Sequence, residues 1–211
     1  MVRKLMMAAL FSTLALLPAQ AEKIETAVFA GGCFWCVESD MDSIKGVTAT
    51  VSGYAGGTIA NPTYDNHEGN FEAVKVTYDA DIVSFDKLAA MFLRTIDVTD
   101  DGGQFCDRGD AYKTAIFTMD DMQNKAAIAA VSAAEADLGA KIVTPVIPFT
   151  TFADAEDYHQ NYYLGKNRVL TRFGYVKQTD AYAGYRNGCG RNARVKEVWG
   201  DKAYMGVEAH S

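Results

Sequence analysis

One short segment, Ala27-Val28-Phe29-Ala30-Gly31-Gly32-Cys33-Phe34-Trp35-Cys36, constrains this chain more than any other. A β-like run over residues 23–30 ends in two glycines, and a helical pattern follows at once from 33 to about 44. A strand that stops at a glycine turn and gives way to a helix is a unit of mixed α and β architecture. The same junction sets Cys33 at a helix start, where unpaired backbone N–H groups and the helix dipole favour negative charge. That favours the thiolate, the nucleophilic form of cysteine.

Further along, residues 47–54 alternate as a strand that runs into the Gly56-Gly57 turn, and 58–70 read as a polar loop. A strand is expected over 73–78 and a helix behind Ser84, carrying Leu88, Met91, Phe92 and Leu93. Residues 98–110 read as loop, 114–117 as strand, 120–138 as an alanine-rich helix and 141–147 as the last clear strand. A short helix is expected over 153–164. From about 174 onward, Gly174, Gly184, Gly188 and Gly190 suggest an irregular tail. No repeat or low-complexity linker interrupts this order, so one α/β domain with a coil-rich tail is the simplest account.

Residues 1–21 have the form of a secretory signal peptide. Arg3 and Lys4 precede an apolar stretch over 5–17, and Ala19-Gln20-Ala21 supplies a small-residue cleavage site. The apolar stretch is short for a bilayer span; the alternatives are an uncleaved anchor or an apolar helix. The expected mature domain is 22–211, exported to the periplasm or secreted, with no membrane attachment after cleavage. It carries 18 basic and 27 acidic residues, a balance that argues against nucleic acid or anionic lipid as partner.

All four cysteines, Cys33, Cys36, Cys106 and Cys189, lie in that part. An even number in an oxidising compartment suggests structural disulfides, but a domain of this size does not need them, so reactive thiols carry comparable weight. Zinc would require a second ligand pair at suitable spacing, which Cys106, Cys189, His67, His159 and His210 do not provide. Haem attachment would require His after Cys36, where Val37 stands. A thioredoxin-like exchange enzyme is the serious rival, with Thr144-Pro145 as its proline turn. Against it, two strands and two helices intervene, and Phe34-Trp35 is a bulky pair between redox thiols. A second set of residues combines acids and phenols: Tyr54, Glu72, Asp107 and Tyr112. A carboxyl in an apolar site is raised in pKa and acts as a general acid, and tyrosine hydroxyls can donate to an oxygen that gains charge. Each of them taken singly is more often structural.

Together these segments resemble the A-type peptide methionine sulfoxide reductase family. The likeness rests on Gly32-Cys33-Phe34-Trp35, on Gly53-Tyr54-Ala55-Gly56-Gly57 and Asn61-Pro62-Thr63-Tyr64, and on the strand from Glu72 to Asp79. It continues through Tyr112-Lys113-Thr114 and Tyr158-His159-Gln160, in the right order, to about Tyr163. Asn70 stands where the family has His, Cys106 is an additional thiol, and the family's glycine- and cysteine-rich tail is loosely echoed around Cys189. The resemblance implies an α+β fold, a two-layer sandwich with a ferredoxin-like core, and no metal or organic cofactor. It implies that Cys33 attacks the sulfur of a methionine S-sulfoxide, free or in a protein, while Glu72 protonates the oxygen and Tyr54 and Tyr112 hydrogen-bond it. Phe34 and Trp35 would hold the S-methyl group, with Asp107, His159 and Tyr162 shaping the rest of the pocket. Cys33 would become a sulfenic acid and then a disulfide, opened by a thioredoxin-like reductant. Cys189 best matches the family's recycling cysteine. Cys36, at a helical i,i+3 offset, and Cys106 remain open alternatives, and Cys106 is also a candidate structural partner for Cys189.

Overall fold

The computed structural model describes residues 23–208; the expected signal peptide lies outside them. The chain opens with β1 (Ile24–Gly31), α1 (Phe34–Asp42), β2 (Val47–Ala55), β3 (Phe71–Asp79) and α2 (Phe85–Leu93). Two short strands follow, β4 (Gly103–Gln104) and β5 (Asp107–Arg108), then β6 (Thr114–Thr118) and α3 (Asp121–Leu138). The remainder holds β7 (Val146–Pro148), β8 (Phe152–Asp154), β9 (Arg168–Thr171), β10 (Gly174–Lys177), α4 (Gln178–Gly188) and α5 (Arg191–Trp199).

The main sheet has the order β7-β6-β1-β3-β2-β8. Every neighbouring pair is antiparallel except β6 with β7. β1 lies at its centre between β3 and β6, and Ala27, Val28, Phe29 and Ala30 are all fully buried. An uninterrupted apolar run is what a strand covered on both faces requires. On one face Phe29, Val74, Val76 and Ile116 meet Val37 and Met41 of α1, Leu88 and Phe92 of α2 and Ala127 of α3. Phe29 and Phe92 stack with ring centroids 4.6 Å apart. The other face carries a smaller cluster of Val28, Ala30, Ala73, Ala115 and Phe117, covered by Phe149 and Phe152 rather than by a helix. Helices packed on one side of a largely antiparallel sheet give the mixed α/β sandwich expected. None of the described helices is long and apolar enough to cross a membrane.

Three local expectations are corrected. The tail is not coil: β9 and β10 pair as a hairpin, and two helices follow. Gly184 and Gly188 mask α4 in the sequence, yet tertiary packing holds both helices. Ala181, Val195 and Trp199 are buried, and the Trp199 indole donates to Ile96 O at 3.1 Å. The expected helix over 153–164 is instead β8 and two turns of 3-10 helix, Asp157–His159 and Tyr162–Leu164. Asn161, at φ 51°, breaks the helical path between them. The strand expected over 141–147 reduces to Val146–Pro148, beyond Pro145, which has no N–H to give a ladder.

Candidate active site

Gly32 turns the chain from β1 into α1. It sits at φ 77°, and a Cβ there would lie 2.5 Å from Cβ of Gln104, so only glycine fits. Cys33 is the N-cap of α1, and its carbonyl accepts from the N–H groups of Cys36 and Val37 at 3.0 and 3.3 Å. The first N–H of the helix, on Phe34, donates to Glu72 Oε2 at 3.0 Å. A carboxyl from β3 thus satisfies a helix-start donor that a capping side chain would otherwise take. Glu72 is 2 % exposed. Burial pushes its pKa up to about 8, against the Phe34 N–H and a Tyr112 hydrogen bond, with Asp107 and Cys36 adding to the rise. Glu72 therefore holds its proton at neutral pH.

Cys33, Phe34, Trp35, Cys36, Glu72, Asp107 and Tyr112 line one cleft of about 360 Å³. Burial raises the Asp107 carboxyl and the Tyr112 phenol, keeping the phenol a donor. Tyr54 is not part of this cleft. It is 1 % exposed, packs against Phe34 at 5.9 Å and donates to Glu156 Oε2 at 3.1 Å. In its place, the phenol that lines the cleft with Tyr112 and Glu72 is Tyr64, pushed up to about 12 by burial. Its backbone N–H is anchored on Glu156 Oε1 at 3.0 Å, so one carboxylate buttresses both tyrosines. Tyr64 ends the Asn61-Pro62-Thr63-Tyr64 run, a visible signal whose side chain was not singled out from the sequence.

His159 and Tyr162 are 1 % and 5 % exposed and stand behind Trp35 rather than on the cleft wall. Tyr162 stacks on the indole at 3.9 Å with the rings 8° from parallel. The indole Nε1 donates to His159 Nδ1 at 3.1 Å. Burial lowers His159 to about 4, so it is neutral, and its acceptor nitrogen faces Trp35. These two residues fix the orientation of the aromatic wall.

The cysteines divide into two pairs. Cys106 and Cys189 form a disulfide, while Cys33, half-buried, and Cys36, buried, are free. The two free thiols share a hydrogen bond and titrate together. Cys33 is raised by that bond, by burial and by the charges of Cys36, Glu72 and Asp107. Cys36 is lowered to about 7 by the bond from Cys33 and, against burial, by Arg191 and Arg186. The pair holds one proton near neutrality, and these neighbours put the resting thiolate on Cys36. At Cys33 the bond with Cys36 and burial therefore act against the stabilisation of a thiolate by the helix start. Arg172, Arg186, Arg191, Tyr182 and Tyr185 also line the cleft. All but Arg172 arrive from the segment expected to be coil, which is why the sequence does not point to them. Among the described residues the only grouping suited to a metal is Cys106, Asp107 and Cys189. Its two sulfurs are joined to each other, which leaves a single carboxylate and a poor fit for an ion.

The family model described as "Peptide methionine sulfoxide reductase" matches residues 25–203. A relative from Rhizobium meliloti (strain 1021), peptide methionine sulfoxide reductase MsrA 2, is 51% identical over 194 residues, covering 91% of this chain and 92% of its own. One of the same name from Caulobacter vibrioides is 44% identical over 184 residues, 85% of this chain and 88% of its own. Among solved structures, methionine sulfoxide reductase A of Corynebacterium diphtheriae superposes with a TM-score of 0.63 at 30% identity, covering 67% of this chain and 74% of that one. Mxr1 from Saccharomyces cerevisiae in reduced form gives 0.63 at 27%, covering 66% and 84%. With the match running through the thiol, the protonated carboxyl and the aromatic wall alike, this chain belongs to the A-type peptide methionine sulfoxide reductase family.

Proposed function

We propose that this enzyme, an oxidoreductase, reduces methionine S-sulfoxide, free or in proteins, through a sulfenic acid on Cys33. The observation that carries the reading is the junction of nucleophile and acid. The Phe34 N–H, next in the chain to Cys33, holds a Glu72 carboxyl that keeps its proton at neutral pH.

The aromatic faces of Phe34 and Trp35 receive the S-methyl group, and the sulfoxide oxygen turns toward Glu72, Tyr64 and Tyr112. As Cys33 Sγ attacks the sulfoxide sulfur, its proton crosses the shared hydrogen bond to Cys36. Glu72 gives its proton to the oxygen, and the two phenols donate to that oxygen as it gains charge. The protonated oxygen then passes from the methionine sulfur to Cys33 Sγ as the bond between the two sulfurs breaks, so methionine leaves and Cys33 carries the oxygen as –SOH. Tyr64 here takes the role the sequence reading gave to Tyr54.

Resolution follows from Cys36. Its sulfur bonds to that of Cys33, hydroxide leaves, and with the Cys36 proton it becomes water, leaving a Cys33–Cys36 disulfide. The contact between the two thiols and the engagement of Cys189 with Cys106 support Cys36 over the Cys189 favoured from the sequence. A thioredoxin-like dithiol then opens the bridge by exchange. Residues 1–21 support export to the periplasm or beyond, a compartment in which a Cys106–Cys189 disulfide persists.

The experiment is a single-turnover reaction of the reduced protein with one equivalent of each sulfoxide epimer, followed by peptide mapping. Methionine from the S epimer together with a Cys33–Cys36 bridge supports the reading. A Cys33–Cys189 bridge returns the resolving role to the tail.

A further inference from the structure

The cleft that holds Cys36 is also lined by Arg186 and Arg191, part of a buried cluster of charge that the reaction above does not use. Arg191 is 1 % exposed. Its Nη1 donates to Gly31 O at 3.1 Å, its Nε lies 3.7 Å from Asp40 Oδ2, and its guanidinium covers the Phe105 ring at 4.7 Å. Nε and Nη2 of Arg191 reach no hydrogen-bond acceptor among the described residues, and neither does Asp40 Oδ2 reach a donor. Arg186 Nη2 takes the other oxygen, Asp40 Oδ1, at 2.7 Å. Two guanidinium groups therefore share one carboxylate, in a site where an uncompensated charge is expensive.

The anchors of the two arginines bracket the redox pair. Gly31 lies just before Cys33, and Asp40 lies one turn beyond Cys36 on α1. Cys189 stands between them at the α4–α5 junction, and its disulfide to Cys106 ties that junction to the β4–β5 segment. The cluster is thus held rigidly against the helix that carries Cys36, with one positive charge in excess.

We propose that Arg191, assisted by Arg186, is a positioning residue that holds Cys36 as a thiolate, ready to take the Cys33 proton and then to attack the oxidised Cys33 sulfur. The inference rests on the resolving role given to Cys36 above. Other groups face Cys36 from every side: Cys33 at the start of its own helix, Asp40 one turn on, Glu72 from β3, Tyr182 from α4 and Tyr204 from the C-terminal segment. The acids and phenols oppose the thiolate or are neutral. The two arginines supply the compensating charge.

The test titrates Cys36 by thiolate ultraviolet absorbance in a Cys33→Ser background, where the hydroxyl keeps a donor beside it and the Cys106–Cys189 bridge is left oxidised. Arg191→Met should raise the Cys36 midpoint by about one unit or more, the size of effect an opposite charge at close range exerts. Arg191→Lys should restore much of it. Asp40→Asn, which removes the competing carboxylate, should move the midpoint the other way. Opposite signs from two substitutions in one cluster are not what mere loosening of the fold produces. Should Arg191→Met fail to fold, Asp40→Asn and Arg186→Gln decide the matter by the same signs. Midpoints unchanged in folded variants would overturn the inference while leaving Cys36 as the resolving thiol. A Cys33–Cys189 bridge mapped in the otherwise native chain would remove that role, and the inference with it.

Discussion

Phe34 and Glu72 are joined by a hydrogen bond of 3.0 Å from the first backbone N–H of α1 to a carboxyl on the neighbouring strand. The bond ties the acid to the nucleophile through the backbone, so the two cannot drift apart without unwinding the helix start. It also partly offsets the burial that raises Glu72 to about 8. The acid stays protonated yet remains able to give up its proton within the physiological range, the condition for efficient general acid catalysis.

Replacing Glu72 by Gln keeps the shape and the Phe34 contact but removes the proton. The rate of methionine formation in a single turnover should fall by about 10²-fold or more, the usual size of a general-acid contribution. Rapid quench of the reduced enzyme measures it; an unchanged rate would mean the proton comes from elsewhere.

The pH profile of the same step should be bell-shaped. The thiol pair must lose one of its two protons, centred at about 7 on Cys36, so the rate rises with pH there. Glu72 must keep its proton, centred at about 8, so the rate falls again above that. Both limbs belong to interacting groups and report the ensemble rather than single sites. Glu72→Gln should abolish the alkaline limb and keep the acid one.

Two tyrosines separate chemistry from packing. Tyr64→Phe should slow methionine formation by roughly tenfold or more, because it removes a donor aimed at the developing oxyanion. Tyr54→Phe should leave that rate nearly unchanged and instead cost about 1 kcal/mol of stability, the usual value of one lost hydrogen bond, here the one to Glu156. Quenched-flow rates and denaturant unfolding of both variants distinguish them. The reverse pattern would reinstate Tyr54 in the site.

The contrast between these tyrosines shows what was legible beforehand. The Cys33, Glu72, Asp107 and Tyr112 positions follow from local motifs, and the structure brings all of them to one cleft. Tyr54 and Tyr64 each lie in a turn-rich segment, and only the register of β2 against β3 and β8 sends Tyr54 into the core. Strands with a clear apolar pattern were visible because burial on the central sheet dictates composition. Helices α4 and α5 were not, because few apolar side chains mark them. Polar contacts hold much of them, such as Arg186 on Asp40 and Arg194 on Asp97, whose partners lie far away in sequence. A tail fixed by long-range ion pairs leaves little periodic trace in its own residues.

Opening the second cysteine pair should affect the fold more than the chemistry. Cys106 and Cys189 are separated by 83 residues, a loop whose closure is worth about 4.5 kcal/mol in the chain-entropy picture. Cys106→Ser should lower stability toward that extent in urea unfolding, yet the variant should still form one equivalent of methionine below its unfolding midpoint. Loss of the first turnover in a folded variant would give the pair a direct chemical part.

The most direct test of the account is the first turnover itself, without external reductant. Reduced native protein mixed with excess methionine S-sulfoxide should release one equivalent of methionine and consume the Cys33 thiol. Cys36→Ser should release the same amount and accumulate a trappable sulfenic acid on Cys33. Cys33→Ser, folded as judged by circular dichroism, should release none. Methionine formed by the folded Cys33→Ser protein would contradict the account at its centre.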